Sequence, residues 1–232
     1  MLRFPDPAVV VALPGTGSDA DFAMRAFGAA CTARELPIIA VQPDPEAVVA
    51  SCLAALDAAA RRYGRVVAAG ISLGAAIAVE WGCAHPESAA GVIAALPAWT
   101  AGADGECPAA LSARITAAQV RADGLEETIA RMRAGSPGWL AETLTRSWRG
   151  YGSALPAALE EAAAYRWPAE ARLRSLPVPT VVIGAVDDPV HPFPIAEQWA
   201  ALIPGATLHK VTLAEFGADP SLLGHLALGR TP

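Results

Sequence analysis

Five residues in the first third of the chain restrict its fold more than any other stretch. Gly70-Ile71-Ser72-Leu73-Gly74 follows the apolar run 66–69 and precedes the helix-forming run 75–81. To lift the Ser72 hydroxyl clear of the strand ends, the backbone must turn so sharply that the serine adopts a strained conformation. Side chains at positions 70 and 74 would then collide with the turn or with neighbouring strands, so both must be very small. A strand, a serine with glycine two residues away on each side, and then a helix is the layout of a nucleophile elbow. The plainer reading of the same five residues is a glycine-rich turn whose serine only caps the helix. The buried strand before it and the apolar helix after it favour the elbow.

The rest of the chain supplies the sheet that such a turn needs. The run 8–13 (AVVVAL) is continuous and rich in β-branched residues, the pattern of a strand buried on both faces. It ends in Pro14-Gly15-Thr16-Gly17, and Ser18 or Asp19 can cap a helix reaching about Cys31. Further strands are expected at 37–41, 66–70, 90–96, 180–185 and 206–213. Helices are expected at 46–63, after the elbow to His85-Pro86, at 195–203 and at 220–228. Strands alternating with helices build a parallel sheet covered on both faces, whose ligands gather at the carboxyl ends of the strands. Both Gly15–Gly17 and Ser72 fall at such ends. Between residues 99 and 176 the alternation stops, and helices are expected at 109–120, 125–134, 139–148 and 156–165. The division is therefore 1–98 and 177–232 for an α/β core and 99–176 for a helical lid inserted after the fourth strand.

Composition excludes several partners. A formal charge of −6 with both signs interspersed argues against nucleic acid and against an anionic membrane. The four cysteines (Cys31, Cys52, Cys83 and Cys107) show no metal-ligand spacing, and three lie in expected helices, where a reduced thiol is ordinary. The apolar run 8–13 is too short for a signal-peptide core, and no stretch is long enough to cross a bilayer. A cytoplasmic protein is expected, with its oligomeric state left open.

The elbow, the strand order and the helical insertion resemble the α/β-hydrolase family along nearly the whole chain. The turn Leu13-Pro14-Gly15-Thr16-Gly17 occupies the slot of that family's oxyanion loop, and Asp188-Pro189-Val190-His191-Pro192 looks like its acid turn after a late strand. The stretch 121–126 (RADGLE) is similar to the lid of the small esterases, lactonases and cofactor-free haloperoxidases of the family. The resemblance implies Ser72 as nucleophile. It implies the Leu73 N–H and a second N–H from the Gly15-Thr16 turn, that of Thr16, as oxyanion donors. Asp188 is the preferred acid and Asp187 the alternative. Family order, with a histidine after the last strand, makes His225 the preferred base; His191, three residues beyond Asp188, is its rival. His209 is expected to be packed or solvent-facing within its strand, and His85 to serve the last carbonyls of its helix. Departures from the family are Pro14 where histidine is frequent, a start at what would be the third strand, and a short C-terminal helix.

The implied activity is hydrolysis of a small-molecule carboxylic ester, thioester or lactone, with no metal or organic cofactor. Two alternatives stand beside it: a hydrolase-fold binding module without catalysis, and haloperoxidase or perhydrolase chemistry on the same residues. Gly15-Thr16-Gly17 lacks the third glycine of a dinucleotide fingerprint and the lysine of a P-loop. The pairs Glu126-Glu127 and Glu160-Glu161 read as solvated helix faces. Trp99, Trp139, Trp148 and Trp167 read as packing of the insertion, or alternatively as an aromatic wall for an apolar substrate. Arg146 and Arg149 read as an exposed face, or alternatively as holders of a substrate carboxylate.

Overall fold

In the computed structural model, which describes residues 9–229, six strands form one wholly parallel sheet in the order β2-β1-β3-β4-β5-β6. The strands are β1 (Val9–Leu13), β2 (Ile38–Ala40), β3 (Val66–Ile71), β4 (Ala89–Ala95), β5 (Thr180–Ala185) and β6 (Thr207–Val211). Ala8, expected to begin the first strand, lies outside the described residues. The four central strands are buried along their whole length, whereas β2 and β6 at the edges are mostly half-buried. Continuous apolar runs mark the first group because both sheet faces are covered. Val9, Val11 and Leu13 enter the core on one face, and Val10 and Ala12 enter the core on the other.

Helices α1 (Ala20–Ala33), α2 (Val48–Tyr63) and α3 (Leu73–Ala84) connect the first four strands. Asp19 caps α1 by accepting a hydrogen bond from the Phe22 N–H. Helix α3 is buried on nearly every side, which explains a run (LGAAIAV) with no polar face. Between β4 and β5 lie α4 (Pro108–Asp123), α5 (Leu125–Gly135), α6 (Gly138–Tyr151), a 3₁₀ turn at Gly152–Ala154, α7 (Leu155–Ala163) and the short α8 (Glu170–Arg174). After β5 come α9 (Phe193–Leu202), then α10 (Leu213–Ala218) and α11 (Leu222–Leu228). Helices α1, α10 and α11 pack on one sheet face, and α2, α3, α9, α4 and α7 contribute to the core on the other.

The sequence reading does not include α8 or α10, and it runs the last strand two residues too far. Thr212 leaves the sheet because it forms a reciprocal capping box with Glu215, which starts α10. Glu161 is not simply solvated: its carboxylate accepts the Val48 and Val49 N–H groups at 2.9 Å each, satisfying the otherwise bare start of α2. The four cysteines are free, and burial pushes the thiols of Cys31 and Cys52 up to about 12. Among the described residues no helix is long and apolar enough to cross a membrane.

Chain order reverses direction between β1 and β3, which are neighbours in register with Leu13 opposite Gly70. Their carboxyl ends therefore flank the crevice where an open α/β sheet accepts ligands. The turn after β1 and the turn after β3 meet there.

Candidate active site

Ser72 follows the last residue of β3 and precedes the first residue of α3, with φ 54° and ψ −113°. A non-glycine residue in that region is strained, and the surroundings hold it there. Its N–H donates to the Ala95 carbonyl of β4 at 2.9 Å, and its own carbonyl accepts the Ala75 N–H at 2.9 Å. A Cβ on Gly70 would overlap the Gly74 carbonyl, and one on Gly74 would lie 2.6 Å from the Leu13 carbonyl oxygen and 2.7 Å from that of Pro14. Both glycines thus stand where a side chain has no room, so β1, β3 and α3 can close around the turn.

The Ser72 hydroxyl lies 2.9 Å from His191 Nε2, and His191 Nδ1 lies 2.7 Å from Asp188 Oδ2. An ionised carboxylate only accepts, so Nδ1 carries the ring proton and Nε2 is free to accept from the serine. Asp188 Oδ1 also accepts the N–H groups of Val190 (2.8 Å) and His191 (3.2 Å), which folds the segment into a tight turn and aims the ring. Asp188 and His191 thus come from one turn after β5, three residues apart. The carboxylate is 7 % exposed and the imidazole 17 %, and Ser72 is 6 % exposed. Burial pushes the Asp188 carboxyl up, but the hydrogen bond from His191, the charge of that ring and the two N–H groups outweigh it and hold the pKa below the ordinary value.

That depression has a consequence for stability. A carboxyl with a lowered folded pKa stabilises the fold above its unfolded value, and the contribution is lost as the pH falls through the folded one. Below about pH 4, the melting temperature of the wild type is expected to drop more steeply than that of Asp188→Asn. Parallel melting curves across the acid range check this.

His225 does not lie in this arrangement, a correction to the order-based preference. It sits on α11, where its Nδ1 is buried without a partner beside a cavity of about 400 Å³ lined by Asp219, Leu222, His225 and Leu226. The cause lies in the preceding residue. Gly224 packs against α1, and a Cβ there would come within 2.9 Å of the Ala26 carbonyl oxygen and 3.0 Å of the Ala30 Cβ. At 1.5 Å per residue, Ala26 is already roughly 10 Å along α1 from Asp19 at the sheet rim. The alternative acid is also occupied elsewhere: Asp187 Oδ1 accepts the Leu213 N–H at 2.7 Å, tying β5 to the start of α10. His85 Nδ1 lies 3.1 Å from the Trp81 carbonyl at the end of its helix, and His209 sits in β6 opposite Ile183.

Thr16 lies in a four-residue turn closed by the Ser18 N–H on the Gly15 carbonyl at 3.1 Å. A Cβ on Gly15 would lie 3.4 Å from the Ser72 Cβ, so this turn runs directly beside the serine. Among the described residues the N–H groups of Thr16 and Leu73 donate to no backbone carbonyl. Leu73 opens α3, where unpaired N–H groups carry partial positive charge. Among the described residues no cluster of three or more His, Cys, Asp or Glu side chains is suited to a metal ion.

Arg146 is not free to hold a substrate carboxylate: its Nε and Nη2 donate to the two oxygens of Asp19 at 3.0 Å each. Arg149 pairs with Glu126 on the surface. Trp148 and Trp167 are core residues, and Trp139 stacks among Phe22 and Phe216. Sequence reasoning missed the partners of the turn after β1, namely Ser147 and Tyr151, and the pairing of Arg146 with Asp19. The one local sign of them was a set of polar residues, Thr143, Thr145 and Ser147, that alternate with exposed and apolar ones along a helix yet are buried.

A family model described as "Alpha/beta hydrolase family" matches residues 2–225. Among solved structures, the enol-lactonase from Burkholderia xenovorans LB400 superposes with a TM-score of 0.69 at 14 % identity, covering 90 % of this chain and 85 % of the other. A thermophilic esterase from Thermogutta terrifontis gives 0.64 at 21 % identity, covering 90 % and 84 %. A putative non-heme bromoperoxidase, BpoC, from Mycobacterium tuberculosis H37Rv gives 0.68 at 17 %, covering 97 % and 91 %. At these identities the likeness is one of fold. Comparison with curated proteins finds no match.

Proposed function

The chain belongs to the alpha/beta hydrolase family, and from that premise we propose that it is a serine hydrolase cleaving a carboxylic ester, thioester or lactone through an acyl-enzyme on Ser72. The observation that carries the reading is the unbroken relay Ser72 Oγ, His191 Nε2, His191 Nδ1, Asp188 Oδ2, with steps of 2.9 and 2.7 Å. His191 takes the hydroxyl proton as Oγ bonds to the acyl carbon, and Asp188 stabilises the imidazolium that results. The carbonyl electron pair moves onto oxygen, where the N–H groups of Thr16 and Leu73 receive it. When the pair returns, the bond to the alcohol, thiol or lactone oxygen breaks, and His191 hands its proton to that leaving group. Water then adds to the acyl-enzyme, giving its proton to His191. Collapse releases the carboxylic acid and returns the proton to Ser72. The helices at 99–176 act as the cover of the strand rim in this reading.

An inactive binding module would need no base beside the serine. The imidazole 2.9 Å from the serine oxygen favours the hydrolase over that alternative. Treatment of the protein with a fluorophosphonate is expected to give a covalent adduct, detected by intact mass, that is absent in Ser72→Ala. An unlabelled wild type with unchanged folding would sink the proposal.

A further inference from the structure

Helix α6 crosses from one side of the sheet to the other. At its first turn Trp139 packs on Phe22 and Phe216, which belong to the core on the α1 face. At its last turn Trp148 and Tyr151 are buried in the opposite core. Along the second half of α6, three consecutive residues of the β1–α1 connection are each held by one of its residues. Ser147 Oγ donates to the Gly17 carbonyl at 2.7 Å, Tyr151 Oη donates to the Ser18 carbonyl at 3.0 Å, and Arg146 grips both oxygens of Asp19. Ser147 is 2 % exposed and Tyr151 4 %, so these are enclosed contacts. One turn earlier on α6, Thr143 accepts from Arg25 of α1 at 2.9 Å.

The grip begins one residue after Thr16. On its own, the turn is poorly determined: Thr16 stands between two glycines, and Gly17 takes a φ of +66°. Such a segment samples many conformations unless something outside it fixes the peptide planes. A donor to a developing oxyanion acts through being already in place, and loses its effect when it must be reoriented during the reaction. We infer that α6 is a positioning clamp for the oxyanion turn: Ser147, Tyr151 and the Arg146–Asp19 pair fix the planes after Gly17 and Ser18, and through them the Thr16 N–H. The inserted segment contributes to catalysis by staying in place. This rests on the reading of Ser72 as nucleophile and Thr16 as oxyanion donor.

The test uses the full chain with Ser147→Ala, Tyr151→Phe and the double variant, each removing one oxygen per site. Arg149→Ala, on the same helix but paired outward with Glu126, is the control. For p-nitrophenyl acetate, kcat per serine titrated is expected to fall about tenfold in each single variant and about a hundredfold in the double. KM should stay within about twofold, since the ground-state ester makes little use of the hole. Affinity for phenylboronic acid, whose adduct on Ser72 is tetrahedral, should weaken in proportion to kcat. Ser147→Thr, which keeps the hydroxyl, should restore both. A purely structural role would instead lower the melting temperature with kcat per titrated serine unchanged, and that result overturns the clamp alone. A wild type that neither reacts with a fluorophosphonate nor hydrolyses the ester overturns the assignment of Ser72 and this inference with it.

Discussion

Replacing His191 with glutamine is expected to lower kcat/KM for p-nitrophenyl acetate by about 10⁴-fold or more, while His225→Gln leaves it within about twofold. In the proposed mechanism Ser72, His191 and Asp188 act as a unit, so losing the base alone removes most of the rate that the unit supplies. Glutamine fills similar space and can still donate to Asp188, so the fold should be preserved while the proton acceptor at 2.9 Å from the serine is lost. Fluorophosphonate labelling should slow in parallel, because it needs the same activated hydroxyl. At position 225 the geometry predicts the reverse pattern. Its Nδ1 is buried without a partner on a helix packed against α1, and the substitution touches only that packing. A melting temperature that shifts in His225→Gln with kcat/KM unchanged would separate the two histidines. Equal losses at both positions would refute the assignment.

The reason family order favours His225 while the fold brings His191 to Ser72 is physical. Strand and helix patterns report which residues are buried together on one face, and they do so locally. Residues 9–13 of the first apolar run, the helical spacing of Val49, Cys52 and Leu56, and the small residues at 70 and 74 all encode local constraints, and each appears in the fold where it was expected. Which of two imidazoles swings toward a serine more than a hundred residues away depends on a turn. Here that turn is set by Asp188 Oδ1 accepting the N–H groups of Val190 and His191. The three-residue spacing was visible, but the order rule outweighed it. His225 lies within the expected C-terminal helix, and the glycine before it is set by the approach to Ala26.

The same limit applies to charge pairs. Nothing near Arg146 in the sequence identifies Asp19, yet the pair joins residues 127 positions apart. By contrast, the start of α10 was legible: Thr212 and Glu215 stand at capping-box spacing, which should have ended the last strand at Val211. Closely spaced chemical signals can be read from the chain, whereas the contacts that tie the insertion to the rim are set only when the layers pack.

A second large effect is expected at the elbow itself, in Gly70→Ala. The added methyl would coincide with the Gly74 carbonyl and crowd the Ala75 N–H, so relief requires the start of α3 to move away from β3. Neither side has slack: β3 is buried along its length between β1 and β4, and α3 is buried on nearly all sides. Overpacking of a filled core commonly costs about 1–3 kcal/mol and sometimes more. A clash with main chain belongs at the upper end, because no rotamer change can absorb it. At about 2–4 °C per kcal/mol for a chain of this size, the melting temperature should fall by roughly 10 °C. Activity should suffer further, since any shift of α3 moves Ser72, whose position beside His191 depends on the strained turn that the glycine permits. Gly135→Ala supplies the contrast. Nothing lies within 4 Å of its would-be Cβ and its φ is not in the left-handed region, so stability should hold or rise slightly. Thermal melts with fluorophosphonate labelling rates for both variants decide the matter. A Gly70→Ala protein that melts and labels like the wild type would show that the glycine is not what lets the serine stand at the rim.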